Sequence, residues 1–419
     1  MFENSETLES VREKFEKQLA EYIGTKYAIA CSSGRSAIRF SLLALDIKHR
    51  DEIIIPDYSC EIIPITVFCT RAVPKFCDIE RDTLSISPNH LKKLVSPKTK
   101  AVILVHLYGL PVDPSPALEI CHAKDILLID DAAQALGASI NGKKAGSFGN
   151  IGIISFNKFL NVKVGGAILT NDEELAEKIR VVREKCEIKS ITTRLGYRFI
   201  EIFKIKSRKA MTAVYLSDQY VSKFLASLFV GRHFKVANGW ITADAHIINL
   251  WKSNALTDKA INQMMAMNRK YWHRRRLEKP EILELQRELQ NIEMHLEKRR
   301  RIAKIYEENL EENNFTRIIP QKGSTPSYMK YPIIFYNEKL CSEYITKITH
   351  QGFKVDCIYQ PLHEYPIFSY TNNNATFEES KYVARCLLPL PVDPYMDDER
   401  IYNLVEILNS KQTRRFKLN

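Results

Sequence analysis

Residues 127–166 read LLIDDAAQALGASINGKKAGSFGNIGIISFNKFLNVKVGG, and this stretch decides the fold. It contains two short apolar runs of the kind that form buried parallel strands. The first run stops at Asp130 and Asp131, and the second stops shortly before Lys158. Because the carboxyl ends of parallel strands meet at one edge of a sheet, we expect an α/β sheet with a ligand site at that edge.

The residue types at these strand ends indicate the chemistry. A lysine that is partly removed from water loses proton affinity and becomes a nucleophile toward carbonyl carbon. An aspartate one strand away can hold a pyridinium nitrogen in its protonated form, which is the electron-sink arrangement of pyridoxal phosphate (PLP) enzymes. Lys158 is therefore our candidate for the lysine that binds this cofactor.

Two segments of the stretch resemble the DegT/DnrJ/EryC1/StrS family of PLP-dependent sugar aminotransferases. Ile129 to Ala138 (IDDAAQALGA) resembles the family segment E-D-A-A-Q-x-x-G-A. Gly142 to Phe156 resembles the segment that leads to the family's Schiff-base lysine. In that family the aspartate pairs with the ring nitrogen of the cofactor and the glutamine lies beside the ring. The resemblance implies these roles for Asp131 and Gln134.

The resemblance also implies an architecture, because the family has the aspartate-aminotransferase type I fold. It covers residues 1–185 and roughly 286–419. We therefore predict an α/β protein with a mixed, mostly parallel sheet sandwiched by helices, and a smaller α/β carboxyl-terminal domain. The predicted division is a large PLP-binding domain (1–186), a basic and largely helical insertion (187–285), and an interdomain helix with the small domain (286–419).

A candidate phosphate site lies where residues 32–34 (Ser-Ser-Gly) open an apolar-periodic helix after a short strand. The amino terminus of a helix offers free N–H groups to a phosphate. The family has S-G-T-x-A-L at this place, which implies phosphate contacts for Gly34, Arg35 and Ser36, and Ser155 matches a second contact. An ordinary serine-capped helix is the alternative.

The position of the cofactor lysine departs from the family pattern. The family has three residues between S-F and the lysine, whereas here Asn157 alone separates Phe156 from Lys158. The seven-residue spacing from the lysine to Gly165 is kept. Lys163 is the competing candidate, but its position holds a small residue in the family. We therefore assign the cofactor to Lys158.

The residue that stacks on the cofactor ring is left open. Asp51 to Cys60 (DEIIIPDYSC) resembles a family segment in which an aromatic residue follows a threonine and stacks on the ring. That position is Cys60 here, so we count it among the cofactor contacts. Tyr58 reaches the ring only if the loop takes a different path.

Three further residues are candidates for the substrate side of the site. His106 and Tyr108 lie in VHLYG, which matches the family's V-H-L-Y-G, and His363 lies in the family's P-L-H. We predict His106 and Tyr108 as pocket-lining residues, although a histidine at a strand end is more often a structural hydrogen-bonding group. His363 either lines the substrate mouth or caps a loop.

The net charge of +11 is concentrated in one segment. Residues 187–285 contain 18 Lys and Arg against 8 Asp and Glu, whereas the rest of the chain is almost neutral. This is the segment in which the family resemblance stops. A second basic run, residues 299–301 within a helix predicted over 286–310, is expected to be a solvated helix face. We predict no nucleic-acid partner.

Cysteine usage and hydropathy indicate the compartment. Nine cysteines without a C-x-x-C pair predict reduced thiols and no metal site. The charged, helix-patterned amino terminus is unlike a signal peptide. No apolar run approaches the ~18 residues of a membrane-spanning helix. We therefore expect a cytoplasmic protein.

Residues 213–230 predict an amphipathic helix inside the insertion, with an apolar stripe flanked by basic residues. Such a helix can lie in the headgroup region of an anionic membrane, where each basic residue adds about 1 kcal/mol. This predicts peripheral contact with the inner face of the membrane through residues 204–235. Two alternatives remain, in which the stripe packs against the protein or its dimer partner, or the arginines hold a substrate pyrophosphate.

The motifs together imply a PLP-dependent aminotransferase. By resemblance the amino donor is L-glutamate and the acceptor is a keto sugar, nucleotide-linked, for amino-sugar or surface-polysaccharide biosynthesis. Enzymes of this fold are usually dimers, so we expect a homodimer. Two alternatives remain: a PLP-dependent sugar dehydratase, which in the family has a histidine at the lysine position, and a catalytically silent scaffold that binds a membrane or a partner.

Overall fold

The computed structural model describes residues 6–187 and 276–410, apart from residue 357 and residues 366–367 and 369–374. The amphipathic helix predicted at 213–230 lies outside the described residues, as does most of the basic segment. Within the described ranges, no helix is both long enough and apolar enough to cross a bilayer.

Helices and strands alternate along most of the described chain. In chain order the strands are β1 (Tyr27–Cys31), β2 (Glu52–Pro56), β3 (Val73–Cys77), β4 (Ile79–Glu80), β5 (Ser85–Ile86), β6 (Thr99–Val105), β7 (Leu127–Asp131), β8 (Ser139–Ile140), β9 (Lys143–Lys144), β10 (Ile151–Ser155), β11 (Gly166–Thr170), β12 (Phe315–Arg317), β13 (Ser324–Thr325), β14 (Lys330–Phe335) and β15 (Leu387–Pro391). The helices are α1 (Leu8–Ile23), α2 (Gly34–Ala44), α3 (Ile62–Cys69), α4 (Pro88–Leu94), α5 (Ser115–Ala123), α6 (Glu173–Cys186), α7 (Lys279–Gln290), α8 (Ile292–Asn309), α9 (Glu338–His350), α10 (Glu378–Cys386) and α11 (Asp398–Asn409).

A seven-stranded sheet forms the centre of the large domain, in the order β1-β11-β10-β7-β6-β2-β3. The strands from β10 to β3 pair in parallel, whereas β11 pairs antiparallel with both β10 and β1. β1 therefore runs in the same direction as β10. All strands of this sheet except β11 present their carboxyl ends at one edge, which confirms the predicted mixed, mostly parallel sheet.

Side chains of this sheet pack into two cores on its opposite faces. On β2, Ile53 and Ile55 belong to the larger core, whereas Ile54 belongs to a second core that includes residues of α4 and α5. All three isoleucines are fully buried. A strand that is buried on both faces reads as a continuous apolar run without polar alternation. Helices cover both faces, as the predicted sandwich requires.

The residues after α8 form the smaller α/β unit that the sequence predicts. β12, β14 and β15 make an antiparallel sheet, with α9 and α10 packed against it. This unit meets the large domain where β13 pairs with β8. A second contact lies at Gly109, whose φ is +83° and where a Cβ would lie 2.5 Å from the backbone nitrogen of Tyr328. A residue with a side chain does not fit there.

One helix differs from the prediction. The sequence predicts a single helix over 286–310, whereas the structure has two helices, α7 and α8, that meet at Asn291. The side-chain amide of Asn291 donates to the carbonyl oxygen of Arg287 at 3.0 Å, and such a bond competes with helical hydrogen bonding. α7 also begins well before residue 286 and buries Leu285 in the larger core. The division of domains at 286 stays a prediction.

A charged cluster beside α1 joins the two places where the described chain stops and resumes. Glu187 lies 3.6 Å from Arg12, and Arg276 lies 3.3 Å from Glu9. Arg12 and Glu9 are themselves 3.7 Å apart. Burial raises the pKa of Glu187 to about 7, against the lowering effect of the Arg12 charge. The chain therefore leaves and re-enters the described body at one cluster.

Candidate functional site

Five loops meet at the carboxyl edge of the large sheet, following β1, β2, β6, β7 and β10. The parallel topology thus brings together residues that are far apart in the sequence. The predicted site residues on these loops and strand ends are Gly34, Arg35, Ser36, Cys60, His106, Tyr108, Asp131, Gln134, Ser155 and Lys158. His363 approaches the same edge from the small domain.

Asp130 and His106 form a buried hydrogen-bonded pair at this edge. His106 Nε2 lies 2.6 Å from Asp130 Oδ1, and both side chains are fully buried. His106 Nδ1 accepts from the N–H of Val112, so the ring proton is on Nε2 and is donated to Asp130. Asp130 Oδ2 accepts from the N–H groups of Gly146 and Phe148. With both ring nitrogens engaged inside the protein, His106 holds a loop, which favours the structural alternative, and its place in the pocket lining stays a prediction.

Asp131 follows Asp130 on β7 and has a different environment. Its Oδ1 accepts from the N–H of Ala133 at 2.9 Å, and no cation of the described residues lies within ion-pair distance of it. Burial raises the pKa of Asp131, whereas the more distant charge of Lys158 lowers it. A buried carboxylate without a contacting cation is stabilised by any cation that enters the site.

Lys158 ends a short 3-10 helix (Phe156–Lys158) that follows β10. The N–H of Phe156 donates to the carbonyl oxygen of Gly165 at 3.0 Å, which ties this turn to the glycine pair before β11. The lysine side chain is half-buried. Its charge lowers the pKa values of both Asp131 and Cys60, against the larger raising effect of burial. The ammonium group therefore lies near both of these side chains.

Gln134 lies in the loop after β7, and both ends of its amide are engaged. Its Oε1 accepts from the N–H of Tyr108 at 3.2 Å, and its Nε2 donates to the hydroxyl of Tyr359 at 2.9 Å. Tyr108 is fully buried and has a φ of +57°, a conformation that costs about 1–3 kcal/mol in a residue with a side chain. Its predicted contact with substrate stays a prediction.

The amino terminus of α2 forms a cradle together with Ser155. The Ser33 hydroxyl accepts from the N–H of Ser36 at 3.1 Å, so the helix is serine-capped. The Ser36 hydroxyl is buried against that of Ser33 at 3.0 Å. A Cβ at Gly34 would lie 3.1 Å from the Ser155 Cβ, so glycine lets the start of α2 pack closely against the end of β10. The serine cap and the predicted phosphate site can therefore occur together at the amino terminus of α2.

Cys60 lies after β2 and is half-buried. Burial raises the pKa of its thiol to about 11, although the charges of Lys158 and Arg35 lower it. The thiol is therefore protonated at neutral pH, and two cations lie near it. Tyr58 is fully buried in the larger core, with its hydroxyl 3.0 Å from that of Tyr108. The group that stacks on a cofactor ring stays open.

His363 connects the small domain to the end of β2. Its backbone N–H and its Nδ1 lie 2.8 and 2.7 Å from the two carboxylate oxygens of Asp57. Asp57 is fully buried, and burial raises its pKa against the lowering effect of His363. The imidazole also stacks on Phe377, with ring centres 4.2 Å apart. These contacts favour the loop-capping alternative for His363.

Arg299 is a residue of the site that sequence reasoning missed. Its guanidinium is buried and donates to the carbonyl oxygen of Val392 at 2.7 Å and, more weakly, to that of Lys158 at 3.4 Å. The ring of Phe159 lies 5.2 Å from it. Burial lowers the pKa of Arg299 to about 10, so it stays charged at neutral pH. Arg299 therefore links the lysine turn to the small domain.

The prediction of a solvated face at residues 299–301 is wrong for the first arginine. Leu296 and Ile302, three residues to either side of Arg299, are buried, so all three lie on the inward stripe of α8. Arg301 points outward and pairs with Asp398. The helical period contained this signal, but the run of three basic residues obscured it.

The site fits the PLP that the sequence predicts. Asp131 is a buried carboxylate that a pyridinium would neutralise, and Lys158 lies near it. The amino terminus of α2, with Ser155 packed against Gly34, suits a phosphate. Across the described ranges, no group of three or more His, Cys, Asp and Glu side chains is placed to hold a metal ion.

The chain is similar to known proteins in sequence and in fold. The sequence profile of the DegT/DnrJ/EryC1/StrS aminotransferase family matches residues 5–199 and 256–409. The GDP-perosamine synthase of Caulobacter vibrioides is 40% identical over 172 residues, which are 41% of this chain and 46% of the synthase. The match thus spans less than half of that relative. An uncharacterized protein of Methanocaldococcus jannaschii is 27% identical over 94% of this chain and 87% of its own length.

A solved structure shows the same fold. DesV of S. venezuelae superposes with a TM-score of 0.69 at 20% sequence identity, over 95% of this chain and 88% of that protein. The superposition confirms the predicted fold class.

Proposed function

The chain belongs to the DegT/DnrJ/EryC1/StrS aminotransferase family, and on that premise we propose that it is a PLP-dependent enzyme that transfers an amino group to a keto sugar. One observation carries the proposal: a buried carboxylate without a contacting cation, Asp131, lies near a half-buried lysine, Lys158, at the sheet edge. The lysine supplies a nucleophilic amine, and the carboxylate suits a cationic ring.

The proposed cofactor contacts divide into three groups. Asp131 would accept a hydrogen bond from the ring nitrogen, and Gln134 would lie beside the ring. Lys158 forms the covalent link. When bound, PLP supplies an electron sink for the electron pair that the substrate carbon releases. The remaining proposed contacts, around the phosphate and beside the ring, are Gly34, Arg35, Ser36, Ser155 and Cys60.

Lys158 has a second proposed role as the group that moves the proton. Once the amino donor has displaced it, its Nζ would be a free amine able to take the proton from the substrate carbon and hold it for return to the cofactor side of the imine. Asp131 would keep the ring nitrogen protonated, because its buried carboxylate would be stabilised by that neighbouring positive charge. Arg299 restrains the backbone of the lysine turn through its bond to the carbonyl oxygen of Lys158.

The substrates and assembly are proposals that rest on the family. L-glutamate is the proposed amino donor, and a nucleotide-linked keto sugar is the proposed acceptor. The name GDP-perosamine synthase refers to a nucleotide-linked sugar, and this supports the acceptor class. We further propose a cytoplasmic homodimer, as is usual for this fold.

Neither alternative is favoured. A sugar dehydratase of this family has a histidine where this chain has Lys158. A silent scaffold would have no reason to keep Asp131 buried without a cation of the protein beside it, because a lone buried carboxylate destabilises the fold.

A cofactor-labelling experiment tests the proposal. Purified protein is mixed with PLP, and a visible absorbance band is expected when Lys158 binds the cofactor. Borohydride reduction followed by peptide mapping should then place the label on Lys158. A label on Lys163 would overturn the lysine assignment, and no band would overturn the proposed function. A panel of nucleotide-linked keto sugars with glutamate then identifies the acceptor.

The membrane contact through residues 204–235 is a separate proposal, supported by the basic composition alone. Sedimentation with anionic and neutral vesicles at low salt tests it. Binding is expected to anionic vesicles only, to weaken with salt, and to disappear when residues 204–235 are deleted. Absence of sedimentation at low salt rules the contact out.

A further inference from the structure

Gln134 is held by one partner from each domain. The N–H of Tyr108 belongs to the large domain and bonds to Oε1, which fixes the amide oxygen on that side. The NH2 group therefore faces the hydroxyl of Tyr359, which accepts at 2.9 Å. Gln134 is almost fully buried, so water does not replace either partner. The orientation of its amide plane thus depends on both.

Tyr359 belongs to the small domain, between α9 and a short 3-10 helix at Leu362–Glu364. Its ring stacks on that of Tyr108, with centres 6.3 Å apart and planes 20° apart. Its ring also meets the edge of Tyr58, with centres 5.7 Å apart. Contacts with both tyrosines place the small-domain ring against the large-domain loops, beside the residues whose cofactor roles are proposed above.

Tyr359 also lines a cavity of about 360 Å³ at the domain junction. Glu61, which follows Cys60, contributes to the same wall, as do Lys381 and Arg385 of α10. This volume lies within the range of small-molecule sites. Tyr359 therefore lines a cavity of ligand size and contacts Gln134 with its hydroxyl.

We propose that Tyr359 is a positioning residue that couples the seating of the small domain to Gln134, and through Gln134 to the cofactor ring. This inference rests on the proposed function, because Gln134 lies beside the ring only if PLP binds. A shift of the small domain withdraws the Tyr359 hydroxyl and leaves the buried amide without its acceptor. The amide then turns, and the group flanking the ring changes.

The test compares Tyr359→Phe with a matched control, Tyr382→Phe. Both substitutions remove one hydroxyl from a half-buried tyrosine of the small domain. The Tyr382 hydroxyl donates to the carbonyl oxygen of Phe335 at 3.1 Å, away from the sheet edge. We expect Tyr359→Phe to lower kcat/KM about 5- to 10-fold, as for one neutral hydrogen bond, mainly through kcat. It should also change the pH dependence of the visible band of bound PLP, whereas Tyr382→Phe changes neither.

A double-mutant cycle with Gln134→Ala separates positioning from a general structural effect. We expect Tyr359→Phe to cause no further loss of activity and no spectral change in the Gln134→Ala background. An equal effect of Tyr359→Phe in both backgrounds overturns the inference, as does a wild-type spectrum in Tyr359→Phe or a matching change in Tyr382→Phe. If the wild-type protein binds no PLP, the proposed function and this inference fall together.

Discussion

Asp130 and Asp131 are adjacent on β7, yet their surroundings are opposite. The carboxylate of Asp130 accepts from His106, Gly146 and Phe148, so protein donors fill both of its oxygens. The carboxylate of Asp131 accepts from the N–H of Ala133 and has no contacting cation among the described residues. A buried charge with a full set of partners stabilises the fold, whereas a buried charge that lacks a counter-charge indicates a ligand site.

The largest expected effect is a loss of turnover when Lys158, the proposed cofactor lysine near Asp131, is replaced. Lys158→Ala removes both the proposed covalent link and the proposed proton carrier. We expect kcat to fall about 1,000-fold or more and the visible band of bound PLP to disappear. Lys163→Ala is the control, and it should keep both. The reverse pattern in an activity assay and an absorbance scan would show that Lys163 is the cofactor lysine.

The next effect separates the two aspartates by activity. Asp131→Asn keeps an oxygen for the N–H of Ala133 but removes the charge that stabilises a protonated ring. We expect kcat to fall about 100-fold or more, while PLP binding is partly kept. Asp130→Asn should cost less activity once the remaining folded fraction is taken into account. Equal losses per folded molecule would contradict the different roles of these carboxylates.

For stability we expect the opposite order, with the larger loss on replacing Asp130 and the smaller on replacing Asp131. In Asp130→Asn the new NH2 group faces the Nε2–H of His106, so two donors meet. The imidazole cannot change tautomer without losing the Val112 bond. We expect the free energy of unfolding to fall by about 2–4 kcal/mol, measured by denaturant titration without cofactor. Asp131→Asn should be as stable as the wild type or more stable, and a loss as large as that of Asp130→Asn would contradict this.

The smallest expected effect is a pH dependence at Asp131. Burial raises the pKa of Asp131 in the folded protein above that of the unfolded chain. The folded state therefore binds the proton more tightly, and this contribution to stability is lost as pH rises from the unfolded pKa through the folded one. Without cofactor, Asp131→Asn should gain in Tm relative to the wild type over that rise. A difference in Tm that does not vary with pH would contradict the assignment.

Much of the fold could be predicted because local patterns specify it. Continuous apolar runs give the parallel strands, and Gly24 ends α1 with a φ of +88°, a left-handed conformation that glycine adopts readily. The full set of partners at Asp130 could not be read from sequence, because the loop residues that donate to it are 16 and 18 positions away. Tyr359 and Gln134 are separated by 225 positions, so only the packing of two domains brings them together.

The charged cluster at Glu9, Arg12, Glu187 and Arg276 has a consequence for protein engineering and for evolution. Because the cluster gathers both ends of segment 188–275 beside α1, it is a natural graft point in the fold. The entropy of closing a loop grows only logarithmically with its length, so segments of very different size cost the body a similar amount. Residues 200–255, which the family profile does not match, can therefore change in length while the cluster holds residues 187 and 276 beside α1.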